Sequence, residues 1–381
     1  MKSSTILRRQ VGSLFIVGLE GVEFSALEAA WLRGLQPSGI ILFKRNIASP
    51  RQMHALWQAV ATTRQTDSAE KNSADGHSKD GFFRCVDLEG GTVDRLRDLI
   101  GPTPAAAAVA ATGRPELFQR HGAIVGRMLA ALGFNVDLAP VLDLATPACR
   151  AVMGSRVASA DPAVVAHYAR GFLAGLAARG ILGCGKHFPG LGSGSFDSHQ
   201  KTPKIARTWE QMQPDLAPYR VLRGSLPFVM VNHAAYPKIE RPKIEQRAQP
   251  ASLSHFWITE ILRKQMKYRG LVLSDDMEMG GVLNHASIED ASVQAIAVGT
   301  DLLEVCHRAD RILSAYEAVL REAEHSPPFA RIVAAASQRV ARAKRRWLHG
   351  DTLPRAASTV QIDRLRRELE QFSRAVTECA K

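Results

Sequence analysis

Eight times along this chain a short run of apolar residues gives way to a polar or glycine-rich stretch, and then to a segment with apolar residues at spacings of three and four. The runs are Ser13 to Gly18, Gly39 to Phe43, Phe82 to Asp87, Phe134 to Leu138, Gly180 to Lys186, Pro227 to Asn232, Gly270 to Ser274 and Asp301 to Cys306. Most are predominantly apolar rather than alternating, the pattern of a strand covered on both faces, and such strands alternating with helices build a parallel sheet. Eight units within 381 residues predict an α/β fold made of one (β/α)8 TIM-type barrel. Two doubly wound domains would need a glycine fingerprint in the first βα turn, and the turn after Gly18 reads LEGVEF, which has none.

The clearest helical segment, Ala163 to Ala178, starts with Asp161 as N-cap and Pro162 at the first helical position. It turns Val164, Val165, Tyr168, Phe172 and Leu176 inward and stops at Gly180. Two stretches fall outside the repeat. Thr66 to Asp80 is polar and precedes the third strand, a place on the barrel face opposite an active site. From Pro327 the chain reads as two amphipathic helices, Ala330 to Trp347 and Ile362 to Thr377, too little for a second catalytic domain. The expected division is a catalytic barrel over 1–326 and a helical extension over 327–381, acting as a barrel cap or a partner-binding element.

Forty-nine Lys and Arg against 37 Asp and Glu leave a net charge of +12, which favours anionic partners without choosing among them. Aromatic residues are only 6% and no nucleic-acid-binding module is present, so binding of DNA or RNA is not expected. No apolar stretch approaches the length of a membrane helix, and no cleavable leader is read at the N-terminus. The five cysteines are odd in number, widely spaced and mostly within apolar runs, which suits a reducing compartment. A cytoplasmic protein that binds no membrane is expected. Neither HExxH nor a Cys-His cluster occurs, so no metal and no other cofactor is expected.

In a barrel, catalytic groups stand where the strands end. The third strand ends in Asp87 and continues LEGGTVDR, with Arg95. The fourth ends near Asp137 and runs on to Asp143, with Arg156 in the following loop. Lys186 and His187 close the fifth, Asn232 and His233 the sixth, Asp275 and Asp276 the seventh. Five successive polar strand ends predict a pocket for a hydroxyl-rich ligand. After the fifth strand, Gly190, Gly192 and Gly194 give a loop, Phe188 to Lys201, freedom to move. Asp197 and His199 on it are two residues apart, either a surface Asp-x-His or a carboxylate orienting an imidazole. Asp276 is expected to be structural, paired with a basic neighbour, and Met277 and Met279 to pack. His233 is either a ligand contact or a satisfied core histidine.

The segments EGGTVDR, GSRVASADP, KHFPGLGSGSFDSH, PASLS and LVLSDDMEM, in this order on these strands, resemble family 3 glycoside hydrolases, specifically the β-N-acetylglucosaminidase (β-N-acetylhexosaminidase) branch, over about Gly12 to Cys306. The resemblance implies that Asp275 is the nucleophile and Asp197 with His199 the acid/base dyad. It implies sugar binding by Asp87, Arg95, Arg156, Lys186 and His187. Leu191, Ser193 and Gly194 stand where His, Asp and Thr are common in the family, and Thr92 where Arg is frequent, so altered loop and rim contacts are expected around unchanged chemistry.

Retaining hydrolysis requires a carboxylate below the anomeric carbon and a proton donor beside the leaving oxygen. Asp275 supplies the first. His199 supplies the second and then deprotonates water. The expected activity is removal of terminal N-acetylglucosamine from a glycan, with muropeptides of cell-wall recycling as the implied substrate. The alternatives are a phosphorylase using the same dyad and a sugar-binding barrel without activity; the presence of Asp275, Asp197 and His199 speaks against the last.

Overall fold

The computed structural model describes residues 2–65, 81–192, 202–240, 248–348 and 352–379. Eight parallel strands close into a barrel: Phe15–Gly18 (β1), Gly39–Leu42 (β2), Phe83–Val86 (β3), Val136–Asp137 (β4), Leu182–Phe188 (β5), Phe228–Val231 (β6), Leu271–Asp276 (β7) and Leu302–Val305 (β8). They neighbour one another in chain order and β8 returns to β1, with Phe15 opposite Leu303. Each predicted run overlaps one strand. β5 and β7 run two residues past the predicted ends, to Phe188 and Asp276, because backbone pairing continues to the rim where side-chain polarity answers to the pocket.

Alternation along the strands sorts side chains into two layers. Leu271 and Leu273 of β7 belong with Phe83, Cys85, Cys184 and Met230 in the barrel interior, while Val272 joins the outer core under the helices. The rims of β1 and β8 approach so closely that a Cβ on Gly18 would lie 1.8 Å from the Cys306 carbonyl oxygen, which leaves room for glycine alone.

The helix Pro162–Ala177 starts as the sequence predicts, with the Asp161 side chain accepting from the Ala163 N–H at 2.8 Å. It lies against the helix Pro115–Ala131 at very short range, since a Cβ on Gly122 would meet the Phe172 carbonyl at 1.9 Å. The two C-terminal helices are Pro327–Trp347 and Thr359–Cys379, each starting a turn before its predicted first residue because a polar cap and first turn leave no apolar signature. The first carries Val340 and Ala343 into the interior core, followed by Leu348, and sets Trp347 on Phe228 at 5.7 Å. Asp301, fully buried, receives Arg263 and Arg339 beside it. The second helix buries Ile362, Leu365, Leu369, Phe372 and Val376, with Phe372 stacked on His121 of Pro115–Ala131 at 5.5 Å. The polar stretch Thr66 to Asp80 lies outside the described residues. Among those residues no helix is long and apolar enough to cross a membrane.

Candidate active site

Just past β3 the chain folds into a small antiparallel ribbon, Leu88–Gly90 with Val93–Asp94, turning on Gly90 and Gly91 at φ 83° and 60°. The ribbon brings Glu89 next to Asp87, and Lys186 of β5 reaches both. Its Nζ donates to Asp87 Oδ1 at 2.6 Å and pairs with Glu89 Oε1 at 2.7 Å. Arg156 grips Glu89 with two parallel bonds, Nε to Oε2 at 2.6 Å and Nη2 to Oε1 at 2.9 Å. Arg95 lies 3.8 Å from Asp87 Oδ2 and over the Phe43 ring at 5.7 Å. Four of the five predicted sugar-contact residues thus form one network around a glutamate that sequence reasoning passes over. Glu89 stands in the EGGTVDR segment, and its place two residues after Asp87 was the available signal.

Burial by itself would raise the Glu89 carboxyl, but Lys186 and Arg156 overrule it and bring it down to about 2. Burial likewise opposes the Lys186 ammonium and the Arg156 guanidinium. Asp87 and Glu89 outweigh it at Lys186, and Glu89 at Arg156, so both are raised. Glu89, Lys186 and Arg156 are thus all charged at neutral pH.

The fifth predicted residue, His187, is held separately. Asp143, fully buried, accepts the His187 backbone N–H at 3.1 Å and Nδ1 at 2.7 Å on one oxygen, and the Leu191 N–H at 2.7 Å on the other. A ring nitrogen that close to a carboxylate carries the proton, which fixes the imidazole's orientation. Asn232 supports the same turn, donating to the His187 carbonyl at 3.0 Å, and the Tyr236 hydroxyl donates to the Gly190 carbonyl at 2.8 Å. Asp143, read in the sequence as one of the polar strand-end residues but given no role there, is what orients His187. Asp137 is a correction: Val136 and Leu138 occupy the interior, so Asp137 faces the outer layer, where it accepts the Leu88 N–H at 3.0 Å and anchors the ribbon. Burial lifts its carboxyl well above the usual range.

At the end of β7, Asp275 is half-buried, and its Oδ1 accepts the Asp276 N–H at 2.9 Å. Asp276 pairs with His307 (Nε2 to Oδ2, 3.1 Å), a bond that raises the imidazole's pKa. This is the expected structural pairing with a basic neighbour. His233 has both ring nitrogens occupied, by Ser252 Oγ at 2.7 Å and the Asp276 carbonyl at 3.0 Å, and burial lowers its pKa. It is a satisfied core histidine that supports the Asp275–Asp276 turn from below. Met277 is fully buried, a packing residue.

Asp197 and His199 lie outside the described residues, as do Ser193 and Gly194. The chain on either side is anchored. Thr146 Oγ1 donates to the Gly192 carbonyl, and Thr202 Oγ1 donates to the Gly281 carbonyl at 2.8 Å, just beyond β7. Among the described residues no three His, Cys, Asp or Glu side chains gather as metal ligands.

This mouth, a cation-carboxylate network and a strand-end carboxyl group with one oxygen fixed, is built to grip hydroxyl groups and to present a carboxyl oxygen. The sequence model described as the glycosyl hydrolase family 3 N terminal domain matches residues 6–343. A β-hexosaminidase of Alkalilimnicola ehrlichii is 33% identical over 82% of this chain and 85% of its own length. One from Pseudomonas aeruginosa is 34% identical over 83% of this chain and 89% of its own. Among solved structures, a glycoside hydrolase family 3 β-N-acetylglucosaminidase from Paenibacillus sp. superposes with a TM-score of 0.85 at 29% identity, covering 96% of this chain and 68% of that one. The chain belongs to glycosyl hydrolase family 3 and is a glycoside hydrolase.

Proposed function

We propose that the protein is a retaining exo-β-N-acetylglucosaminidase. In this reading it removes terminal N-acetylglucosamine from peptidoglycan fragments in cell-wall recycling within the cytoplasm. The observation that carries it is Asp275. Its carboxylate ends a barrel strand with one oxygen tied to the Asp276 N–H at 2.9 Å. The second oxygen is left to attack the anomeric carbon, forming a glycosyl ester that water later cleaves. Asp87, Lys186, Arg156 and Arg95 hold the ring hydroxyls, with His187 aimed by Asp143. The acid/base step belongs to His199 oriented by Asp197, which protonates the leaving oxygen and then takes the proton of the incoming water. The relatives named above support the N-acetylglucosaminide as substrate, and a net charge of +12 suits the carboxylates of a muropeptide aglycone.

The test pairs a chromogenic β-N-acetylglucosaminide with the matching glucoside, each with and without inorganic phosphate, and adds a mechanism-based fluorosugar. We expect turnover of the N-acetylglucosaminide alone, free sugar as product in either buffer, and covalent label on Asp275. Asp275→Ala should abolish turnover while the protein stays folded. Sugar phosphate as product would establish the phosphorylase instead, no turnover of either substrate would favour the silent sugar-binding barrel, and label on Asp276 would overturn the assignment of the nucleophile.

A further inference from the structure

Beneath the charged mouth stands an acid for which the chemistry above has no use. β8 sends Leu302 and Cys306 into the barrel interior and Leu303 and Val305 outward, so Glu304, between them, faces the interior. It is 2% exposed. Its backbone N–H donates to Ser274 Oγ at 3.0 Å, but its carboxyl Oε1, sealed from solvent, has no hydrogen-bond partner.

The groups that face it come from every side of the barrel. From β1, Ile16 stands opposite in register and is apolar. β3 contributes Asp87 and the Cys85 thiol; β5 contributes Lys186 and the Cys184 thiol; β7 contributes Asp275 and Asp276, the latter paired with Glu304 in register. Cys306 follows on its own strand, and burial raises all three thiols, which stay neutral. Lys186 is therefore the one cation among these neighbours, and Asp87 and Glu89 already hold it at 2.6 and 2.7 Å, while the other buried cation of the interior, Lys344 of the helix Pro327–Trp347, is engaged over the Phe83 ring at 5.5 Å. An ionised Glu304 would be a buried charge with no counter-ion among three other carboxylates, an arrangement proteins avoid by keeping the proton.

We propose that Glu304 is a neutral, proton-bearing acid in the working enzyme, a positioning residue whose O–H is offered upward to the carboxylates of the mouth and holds Asp275 in its ionised form. Burial, then Asp87, Asp275 and Asp276, lift the Glu304 carboxyl well above the ordinary range, in keeping with this. A donor toward a carboxylate favours its charged form and weakens its hold on a proton. The inference rests on the reading of Asp275 as nucleophile.

Two measurements on the full chain test it. Infrared difference spectra at neutral pH between the wild type and Glu304→Gln should show the carbonyl band of a protonated carboxylic acid in the wild type alone. Labelling the wild type with 13C-glutamate should shift that band, a control that holds even if the variant folds poorly. Without a protonated glutamate band the proposal falls. The second measurement is the acid limb of kcat/KM on an aryl N-acetylglucosaminide. Glu304→Gln keeps a donor and should leave the limb in place, whereas Glu304→Leu removes it and should move the limb up by about one pH unit. An unmoved limb in Glu304→Leu overturns the positioning role. Fluorosugar label mapped in the wild type separates the two readings: label away from Asp275 defeats the nucleophile assignment, while label on Asp275 with an unmoved limb defeats this proposal alone.

Discussion

Glu89 shows how far a single residue departs from its type when its neighbours are chosen for it. Its folded carboxyl sits at about 2 against 4.5 for a free one, so between those values the unfolded chain binds more protons than the folded chain. Its contribution is complete above about pH 4.5 and drains away as pH falls toward 2. Glu89→Gln leaves Arg156 without its buried partner and Lys186 with Asp87 alone, and should cost about 3–5 kcal/mol at neutral pH. Urea unfolding of both proteins at pH 7, 4 and 2.5 should show the gap narrowing across that series. A gap that stays constant would mean that the charge is not its source. At this scale the sequence was legible where a residue's chemistry shows locally. Asp87, Lys186 and His187 stand at the ends of apolar runs, which marks them. Asp143 follows β4 at a distance that gives no hint of its contact with His187, because that contact is made between segments 44 residues apart that only the parallel pairing of β4 with β5 brings side by side. Asp137 misled for a related reason: which face a strand residue takes is set by register, and the signal that was passed over is the alternation Phe134, Asn135, Val136, Asp137, Leu138, which puts the two polar residues on the face away from the interior.

Among elements, the strands and helices were readable because their periodicities differ, and their ends were less so. Capping turns and rim residues obey local hydrogen bonding and the pocket, not the core. The helix Thr359–Cys379 illustrates what periodicity does carry, since its buried residues Ile362, Leu365, Leu369, Phe372 and Val376 recur at three and four. Phe372 is fully buried against His121, which burial brings down to about 3 and which also meets the Tyr168 hydroxyl at 3.0 Å. Phe372→Ala should therefore destabilise the protein by about 3–5 kcal/mol, the usual loss for a buried phenylalanine, measured by denaturant unfolding. A loss under about 1 kcal/mol would mean that this helix is dispensable to the global fold. His121 adds a pH dependence of its own. Its folded value lies below the ordinary 6.5, so the stability of the neutral, buried ring is intact above that pH and is lost as pH falls toward 3.

For the whole molecule the decisive facts are that the barrel is closed and that its floor is supplied by the chain's later part. Val340, Ala343 and Leu348 finish the interior core, and Trp347 covers Phe228. Ending the chain at Ser326 would leave that interior open to water. We expect the shortened protein to bind a hydrophobic dye strongly and to lose its cooperative thermal transition; a sharp transition in the shortened protein would show the barrel to be self-sufficient. The eightfold repeat made this architecture legible at once. The floor was less so, since amphipathic helices announce an apolar face without naming what it covers.

The pairing of Phe15 with Leu303 also has a consequence in time. While the chain is being synthesised, β1 emerges near the start and its partner β8 only near the end, so throughout that interval β1, with its apolar side chains, presents an edge of unpaired backbone groups to other nascent chains. Every contact that closes the ring is of long sequence separation, and the floor arrives later still. The molecule is thus born as an incomplete sheet and becomes a barrel in a late step, so its yield in a cell depends on how well that edge is shielded before the ribosome lets go.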